Sequence, residues 1–405
     1  MNNNHYVLRA SLLLSLLLFS FSSFAQFTVQ GVVYDRETET PLPGANVFIA
    51  STTYGVSSLA DGSFKLTGLQ AIHYSLVVSF VGYGTQVFEV VPGQSTIYKV
   101  YLSPSVRELS EVVVRARKMS RAEWLASLKI FKEHFLGQTE NSGKMELINP
   151  KILDFDNHKG QLTAFSDSVL VIENKALGYR LKVLINTYEY NTRTTALRYE
   201  TQMVFEALTP SNGREERRWA NNRLKAYYGS QLHFFRSLYK DQLNEEGFYY
   251  TLIPDVNFGE KRVVLYDTTF KKRAKAYNYK KIDVRTLLDS KRLLDSASTA
   301  ENRIMNFKGD LQINYIHELE SQSFQTFRGT SGKVIQTSLV RTVSPAYFQS
   351  DGSVAPPDAV QVRGYWSWEL VAENLPLNYD PADDEKLLDK DKGDDNEKDD
   401  EKEDE

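Results

Sequence analysis

One short motif in the sequence has the spacing of a zinc-binding pair, His317-Glu318-Leu319-Glu320. His317 and Glu320 could hold a zinc ion if a helix placed both side chains on one face. The surrounding residues alternate as in a β-strand, however, and a strand sends side chains three positions apart to opposite faces. No histidine follows His317 in the sequence, so the third ligand of such a site is also missing. We therefore predict no metal site and no cofactor.

Two other stretches have residue types that could bind a ligand. Asp154, Asp156 and His158 alternate, and a strand would place all three on one face, where they could hold a metal ion. The sequence Asn157-His158-Lys159-Gly160 is typical of a turn, however, and we expect a solvated hairpin loop there. Residues 329–333 (GTSGK) are similar to a phosphate-binding loop but lack its first glycine and its final serine or threonine. We predict a hairpin turn in their place.

The candidate binding residues are Trp366 and Trp368. On a strand, which we predict for residues 360–368, their rings would share one face and could stack on a sugar ring. The alternative is that both anchor the hydrophobic core, which is the more frequent role of paired tryptophans. Residues 271–281 combine six lysine or arginine side chains with two tyrosines, a combination that suits nucleic acid. We expect instead a solvated loop or an anionic surface, and no nucleic acid partner.

The chain has no cysteine, which excludes disulfides, thiolate metal ligands and a cysteine nucleophile. Residues 1–25 have the composition of an export signal, in which an apolar stretch precedes Ser23-Phe24-Ala25 and cleavage is expected before Gln26. The stretch is too short for a retained membrane anchor. We expect an exported protein that is not a lipoprotein, because a lipoprotein needs cysteine where Gln26 stands.

Residues 26–103 alternate short runs of β-branched and aromatic residues with turn residues. Proline and glycine separate the runs at 41–44, 60–62 and 82–84. At these places proline sets φ, and glycine accepts the positive φ of tight turns. Strands at this spacing predict a β-sandwich.

The order of four motifs in this region resembles that of the carboxypeptidase-like regulatory domain. The motifs are GVVYD at 31–35, PLPGANV at 41–47, DGSF at 61–64 and SFVGY at 79–83. The resemblance implies a transthyretin-like sandwich of about seven strands. Such a sandwich is an N-terminal folding or docking module, without catalytic residues, on many envelope proteins of gram-negative bacteria, including TonB-dependent receptors.

Residues 108–116 (ELSEVVVRA) are similar to the segment that follows this module in TonB-dependent receptors. We expect a linker at 104–118 that includes an edge strand. Fewer than 300 residues remain after this segment, too few for a 22-stranded transporter. The receptor function is therefore not implied.

Residues 119–137 predict an amphipathic helix. Ser120 and Glu123 have the spacing of a capping box, and Gly137 follows the last apolar residue. Glu123 and Glu133 make the helix acidic, so we expect it to pack against the following domain and not to lie on a membrane.

Residues 138–379 predict a β-rich domain with helical insertions. The longest signal is a hairpin with alternating strands at 179–185 and 197–205. Residues 215–243 have helical spacing with a break at Gly229-Ser230, and a second helix is expected over 284–302. Other strands are expected at 152–155, 161–165, 248–253, 262–266, 311–317, 334–342 and 360–368.

Residues 380–405 contain 15 aspartates or glutamates and 5 lysines, in a chain whose net charge is −4. A segment of this composition cannot bury enough apolar surface to fold alone, so we expect a disordered acidic tail.

The fold class predicted from these patterns is mainly β: an N-terminal seven-stranded transthyretin-like β-sandwich followed by a β-rich domain with helical insertions. We predict a non-enzymatic envelope protein that binds or docks a protein or glycan partner in the periplasm or at the outer membrane. One alternative is a polysaccharide or peptide hydrolase with an unrecognised carboxylate site, which two carboxylates about 5 to 10 Å apart in a pocket would favour. Another is a small outer-membrane barrel built from the second domain.

Overall fold

The computed structural model describes residues 26–92, 97–104, 119–166, 168–253, 290–299 and 302–400, with only the backbone for 391–400. The predictions for residues 1–25, 108–116, 262–266 and 271–281 lie outside the described residues. Contacts divide the chain into two units, 1–48 with 55–105 and 49–54 with 106–405. None of the described helices is long and apolar enough to cross a membrane.

The first unit contains seven strands within residues 26–102. Their bounds are Gln26–Asp35 (β1), Asn46–Ile49 (β2), Gly55–Ser57 (β3), Ser63–Gln70 (β4), Tyr74–Ser79 (β5), Gln86–Val90 (β6) and Ile97–Leu102 (β7). One sheet has the order β4-β1-β7, with β1 and β7 parallel, and the other has the order β3-β2-β5-β6. Val33, Val47, Leu76 and Val100 are fully buried. The predicted sandwich is confirmed.

The first sheet of the second unit has six strands among the described residues. They are Met145–Leu147 (β8), Asp154–His158 (β9), Gln161–Phe165 (β10), Leu170–Asn174 (β11), Tyr179–Asn191 (β12) and Leu197–Ala207 (β13). The sheet is open, with the order β8-β11-β12-β10-β9, and β13 pairs with β12 to form the predicted long hairpin.

The helix at Arg121–Phe131 (α1) packs on this sheet and continues as a π-helical turn at Lys132–Leu136. Ser120 and Glu123 form the predicted capping box. Phe131 and Phe135 are fully buried in the same hydrophobic cluster as the inner residues of the sheet. The helix therefore packs against the protein, as expected.

Helices and two further sheets make up the rest of the described part of the unit. The helices are Gly213–Tyr227 (α2), Gln231–Lys240 (α3), Gln322–Arg328 (α4) and Pro381–Asp400 (α5). The strands are Phe248–Ile253 (β14), Arg303–Met305 (β15), Asp310–Leu319 (β16), Ile335–Thr342 (β17), Ala346–Phe348 (β18), Val354–Ala355 (β19) and Val360–Gly364 (β20). Strands β14-β16-β17-β20 form one sheet, and β15-β18-β19 form a small one. The break between α2 and α3 falls at Tyr228–Ser230, as predicted.

Two predicted elements differ from the structure. The strand expected to reach Trp368 ends at Gly364, because the chain turns into a 3-10 helix at Tyr365–Ser367. The helix expected over 284–302 is only a 3-10 turn, Ser290–Leu293, in the described part, since Leu294 already pairs with Met305 in a β-bridge.

The acidic segment also differs from the expectation of disorder, because Pro381–Asp400 forms α5. The first turn of α5 is anchored by Asp384, whose side chain is 8% exposed and binds both ends of the Arg223 guanidinium. The Tyr379 hydroxyl donates to the same carboxylate over 2.8 Å. A charged side chain that finds a buried partner thus orders a stretch that could not fold by apolar burial.

Candidate functional site

Asp35 and Tyr83, from the first and last of the four sandwich motifs, are joined by a hydrogen bond. The Tyr83 hydroxyl donates to Oδ2 of Asp35, and the N–H groups of Glu37 and Thr38 donate to its Oδ1. These hydrogen bonds, the one from Tyr83 first, lower the pKa of Asp35. The pair ties the end of β1 to the turn after β5, which is a structural role.

Two motif glycines allow close approach of the backbone. A Cβ on Gly31 would lie 2.2 Å from the carbonyl oxygen of Tyr98 on β7 and 2.7 Å from the ring of Phe64. Gly62 has a φ of +74°, and a Cβ there would lie 2.6 Å from the carbonyl oxygen of Val33. The described motif residues therefore stabilise the sandwich: the glycines allow close packing, and the carboxylate of Asp35 already accepts hydrogen bonds from within the sandwich.

The second unit contains an irregularity in β16 that positions an ionisable side chain. Tyr315 pairs with Gln336 of β17, but the next pair is Leu319 with Ile335, so residues 316–318 bulge out of the ladder. Bulges often re-aim a side chain near a functional site. Here Glu318 accepts a hydrogen bond of 2.8 Å from Nε2 of Gln336. Burial raises the pKa of Glu318 to about 7.

Glu369 and Glu373 lie close enough to Glu318 to interact with it electrostatically. Burial, together with the charges of the other two, raises the pKa of Glu369 well above its ordinary value. Burial also raises the pKa of Glu373, although Nδ2 of Asn141 donates to its Oε2 over 2.7 Å. Glu369 has no side-chain hydrogen bond or ion pair among the described residues. We call Glu318, Glu369 and Glu373 the carboxyl cluster. A raised pKa is expected of carboxyl groups that act as acid–base groups or donate hydrogen bonds to a ligand.

Trp368 lies in a small aromatic cluster next to Glu369 in the chain. Its ring packs on Phe324, with ring centroids 5.4 Å apart, and on Phe327, 5.0 Å apart. Trp368 is 8% exposed, and its buried Nε1 has no hydrogen-bond partner in the part of the chain that the structure describes. Phe327 is 66% exposed, which is unusual for a large apolar ring.

Trp366 is buried in a different cluster, with Phe234 and Phe248. Its Nε1 donates to the carbonyl oxygen of Gly229 over 2.6 Å. The two tryptophans therefore do not share a face. This placement favours the core interpretation for Trp366, whereas Trp368 keeps a free donor.

His233 and Glu246 form a polar pair next to Gly229 that the sequence patterns did not predict. The N–H of Gly229 donates to Nδ1 of His233 over 3.2 Å, and Nε2 of His233 lies 3.1 Å from Oε2 of Glu246. The proton of the imidazole therefore lies on Nε2, and burial lowers the pKa of His233. The position of His233 in a predicted helix does not predict this pair, because Glu246 comes after the end of the helix.

The structure gives the positions of the two other stretches whose residue types could bind a ligand. Asp154 and His158 are exposed and Asp156 is half-buried on β9, which forms a hairpin with β10. Among the described residues, no three His, Asp or Glu side chains are arranged to hold a metal ion. Gly329 ends α4 in the left-handed conformation. The predicted hairpin turn at 329–333 is therefore wrong, because a helix separates β16 from β17.

A shallow groove of about 420 Å³ follows the outer face of α1 and the loop after it. It is lined by Leu125, Leu128, Lys129, Lys132, Glu133, Leu136, Gly137 and Ser142. Leu125 is 50% exposed there. The groove is open and of mixed polarity, so its geometry selects no ligand chemistry.

The sheet order of the first unit and the positions of its motifs define a class of protein, those that carry a carboxypeptidase-like regulatory β-sandwich. In particular, residues 29–114 of this chain match the family model of the CarboxypepD_reg-like domain. A TonB-dependent receptor, SusC of Bacteroides thetaiotaomicron, is 30% identical over 155 residues, which is 38% of this chain. The match spans only 15% of the length of the receptor.

Three solved structures have limited similarity to the chain. A Streptococcal ancillary pilin is 20% identical, with 21% of this chain and 31% of the pilin covered and a TM-score of 0.18. A Bacteroides fragilis protein of unknown function, described as membrane-associated, is 13% identical, with 46% and 84% covered and a TM-score of 0.17. A Bacteroides uniformis protein described as carbohydrate binding is 9% identical, with 44% and 78% covered and a TM-score of 0.15. We draw nothing from such low TM-scores.

Proposed function

We propose that this chain is a non-enzymatic binding protein of the gram-negative cell envelope, exported to the periplasm or associated with the outer membrane. The observation that carries the proposal is the CarboxypepD_reg-like domain, shared with an envelope receptor that is 30% identical over 155 residues. In this proposal the sandwich docks the chain to an envelope protein, and the second unit holds the site for a glycan or protein ligand.

Two features of the sandwich support a docking role. Val81 is 80% exposed and Leu59 is 65% exposed, although both lie in or next to the motifs whose other members are buried or hydrogen-bonded. In this proposal both side chains contact the envelope partner, since contiguous exposed apolar surface marks protein contact sites.

Fractionation tests the location. The full chain, with residues 1–25, is expressed in a gram-negative host, and its mass and compartment are measured. We expect envelope recovery of a chain that starts at Gln26. A cytoplasmic chain that keeps residues 1–25 would contradict the proposal.

Capture from envelope extract tests the docking role. Deletion of 26–103 is unsuitable because it would also remove residues 49–54, which belong to the second unit. We therefore compare the full chain with Val81→Ser and Leu59→Ser, and with Lys65→Ser, an exposed polar site on β4, as the matched control. We expect the first two to lose captured protein and the control to keep it. Equal capture by all variants would contradict docking through this surface.

The carboxyl cluster favours one second candidate function, a polysaccharide hydrolase. Glu318, with a pKa of about 7, could protonate a leaving oxygen at neutral pH, as the general acid of a glycosidase does. Release of reducing ends from soluble polysaccharides, compared between the wild type and Glu318→Gln, tests this. Activity that falls at least about a hundredfold in the variant would support hydrolysis, and equal rates would exclude Glu318 as its acid.

A further inference from the structure

The indole of Trp368 has a buried donor without an acceptor. Its Nε1 is fully enclosed, and no oxygen of the described residues accepts from it. Leaving such a donor unpaired costs about 1–3 kcal/mol, and buried donors in native proteins are usually satisfied by protein, water or a ligand. By contrast, the indole N–H of Trp124 donates to the carbonyl oxygen of Leu153, and that of Trp219 donates to the carbonyl oxygen of Lys175.

Phe327 packs on this indole and is itself largely exposed. Its ring centroid lies 5.0 Å from that of Trp368, with 39° between the planes, yet the residue is 66% exposed. The backbone next to Phe327 is fixed, because Gly329 ends α4 in the left-handed conformation that caps helices. Exposed side chains change rotamer in picoseconds to nanoseconds. Because Phe327 is already largely exposed, its rotation away from the indole would expose little additional surface of its own ring.

The residue that follows Trp368 belongs to the carboxyl cluster, whose chemistry fits the hydroxyl groups of a neutral ligand. Glu369 follows Trp368 directly and lies near Glu318 and Glu373. A protonated carboxyl group both donates and accepts hydrogen bonds, as a sugar hydroxyl requires. The carboxylate of an acidic sugar would add a negative charge next to three carboxyl groups that already disfavour one another's ionised forms, so a neutral sugar fits this site better. An aromatic ring with a few polar groups at its edge is typical of small-molecule sites.

We propose that Trp368 is the ligand-contacting residue of the second unit, and that a neutral pyranose ring replaces Phe327 on its face. The indole N–H then donates to a sugar hydroxyl, and Glu369 binds a second one. This inference rests on the proposed binding function and names the ligand class of its site. Trp366 takes no part in it, because its N–H is already bound to Gly229.

Affinity electrophoresis of the full chain in gels that contain dextran, xylan, mannan or polygalacturonate tests the inference. We expect retardation by at least one neutral polymer and none by polygalacturonate. Trp368→Phe keeps an aromatic ring but removes the N–H, and should weaken binding roughly three- to tenfold. Phe327→Ala removes the cover and should strengthen binding severalfold. Tyr347→Ala, which removes another half-exposed ring, is the matched control and should change nothing.

The outcomes separate the site from the function. If no neutral polymer retards the wild type, the ligand class is wrong, while capture from envelope extract still judges the binding function. If the wild type is retarded and Trp368→Phe equally so, the glycan is bound elsewhere and this site is wrong. Weaker binding by Phe327→Ala would show that Phe327 is itself the platform, which contradicts the exchange of rings. Thermal melting of each variant ensures that folded proteins are compared.

Discussion

In the sandwich, Asp35 lies at the end of β1 and accepts hydrogen bonds from three donors, which lower its pKa. In the second unit, Glu369 lies half-buried without a side-chain partner, and its pKa is raised. The first carboxylate is fully satisfied by its own fold, and the second retains hydrogen-bonding capacity. A ligand is therefore expected to bind near Glu369 and not near Asp35, because a carboxylate that already accepts hydrogen bonds from the protein has little capacity left for a ligand.

The largest effect is expected where the second unit uses a buried charge only for structure. Asp384→Ala leaves Arg223 without its partner, and we expect a loss of about 3–5 kcal/mol in the free energy of unfolding. Asp383→Ala, at a side chain that is 80% exposed, is the control and should change it by less than about 0.5 kcal/mol. Chemical denaturation measures both. Equal stability of the two variants would mean that α5 is not held by Asp384.

The corresponding test in the sandwich is a substitution that adds a methyl group at a motif glycine. Gly31→Ala would place Cβ against the carbonyl oxygen of Tyr98, which the parallel β1–β7 ladder holds in place. We expect a loss of about 3 kcal/mol in the free energy of unfolding. At Gly84 the nearest atom to an added Cβ is 3.8 Å away, so Gly84→Ala serves as the control. A stable Gly31→Ala variant would contradict the structural role assigned to the motif.

A third prediction concerns pH. At pH 3, well below the ordinary pKa of 4.5, Glu318 is protonated in both folded and unfolded chains. As pH rises towards 7 the unfolded chain releases this proton first, so the wild type loses stability across that window. Glu318→Gln has no proton to lose, and Gln336 can still donate to its amide oxygen.

We therefore expect Glu318→Gln to match the wild type at pH 3 and to be more stable by about 3 kcal/mol at pH 8. Urea denaturation at the two pH values measures the difference. A difference that does not change with pH would show that Glu318 has an ordinary pKa.

The smallest effect is expected at Tyr83, and its pH dependence has the opposite sign. The hydrogen bond from Tyr83 lowers the pKa of Asp35 below its usual 3.8, so its stabilisation is present above that pH and disappears as pH falls. Tyr83→Phe should be less stable than the wild type at pH 7, and the difference should shrink as pH falls below 3.8. Thermal melting at pH 7 and pH 3 checks this, and divergence at low pH would contradict it.

The elements that sequence patterns predicted correctly depend on neighbours in the chain. The capping box of Ser120 and Glu123 spans three residues, and the β12–β13 hairpin depends on alternation around one turn. The sandwich was identified because the motifs contain the glycines that its turns and close contacts require.

The features that could not be predicted depend on partners far away in the sequence. Asp384 finds Arg223 at a separation of 161 residues, and this contact orders a segment whose composition indicates disorder. The bulge that turns Glu318 inward depends on its register with β17, which alternation alone does not reveal. For the same reason, the sequence could name Trp368 as a candidate but could not separate it from Trp366.

The central claim is that the ionisable groups available to a ligand lie in the second unit and not in the sandwich. Carbon-13 NMR titration of the aspartate and glutamate carboxyl carbons tests it directly, with signals assigned by Glu318→Gln, Glu369→Gln and Asp35→Asn. We predict a pKa of about 7 for Glu318, a value above the ordinary 4.5 for Glu369 and a value below 3.8 for Asp35. Ordinary values for all three carboxyl groups would contradict the claim.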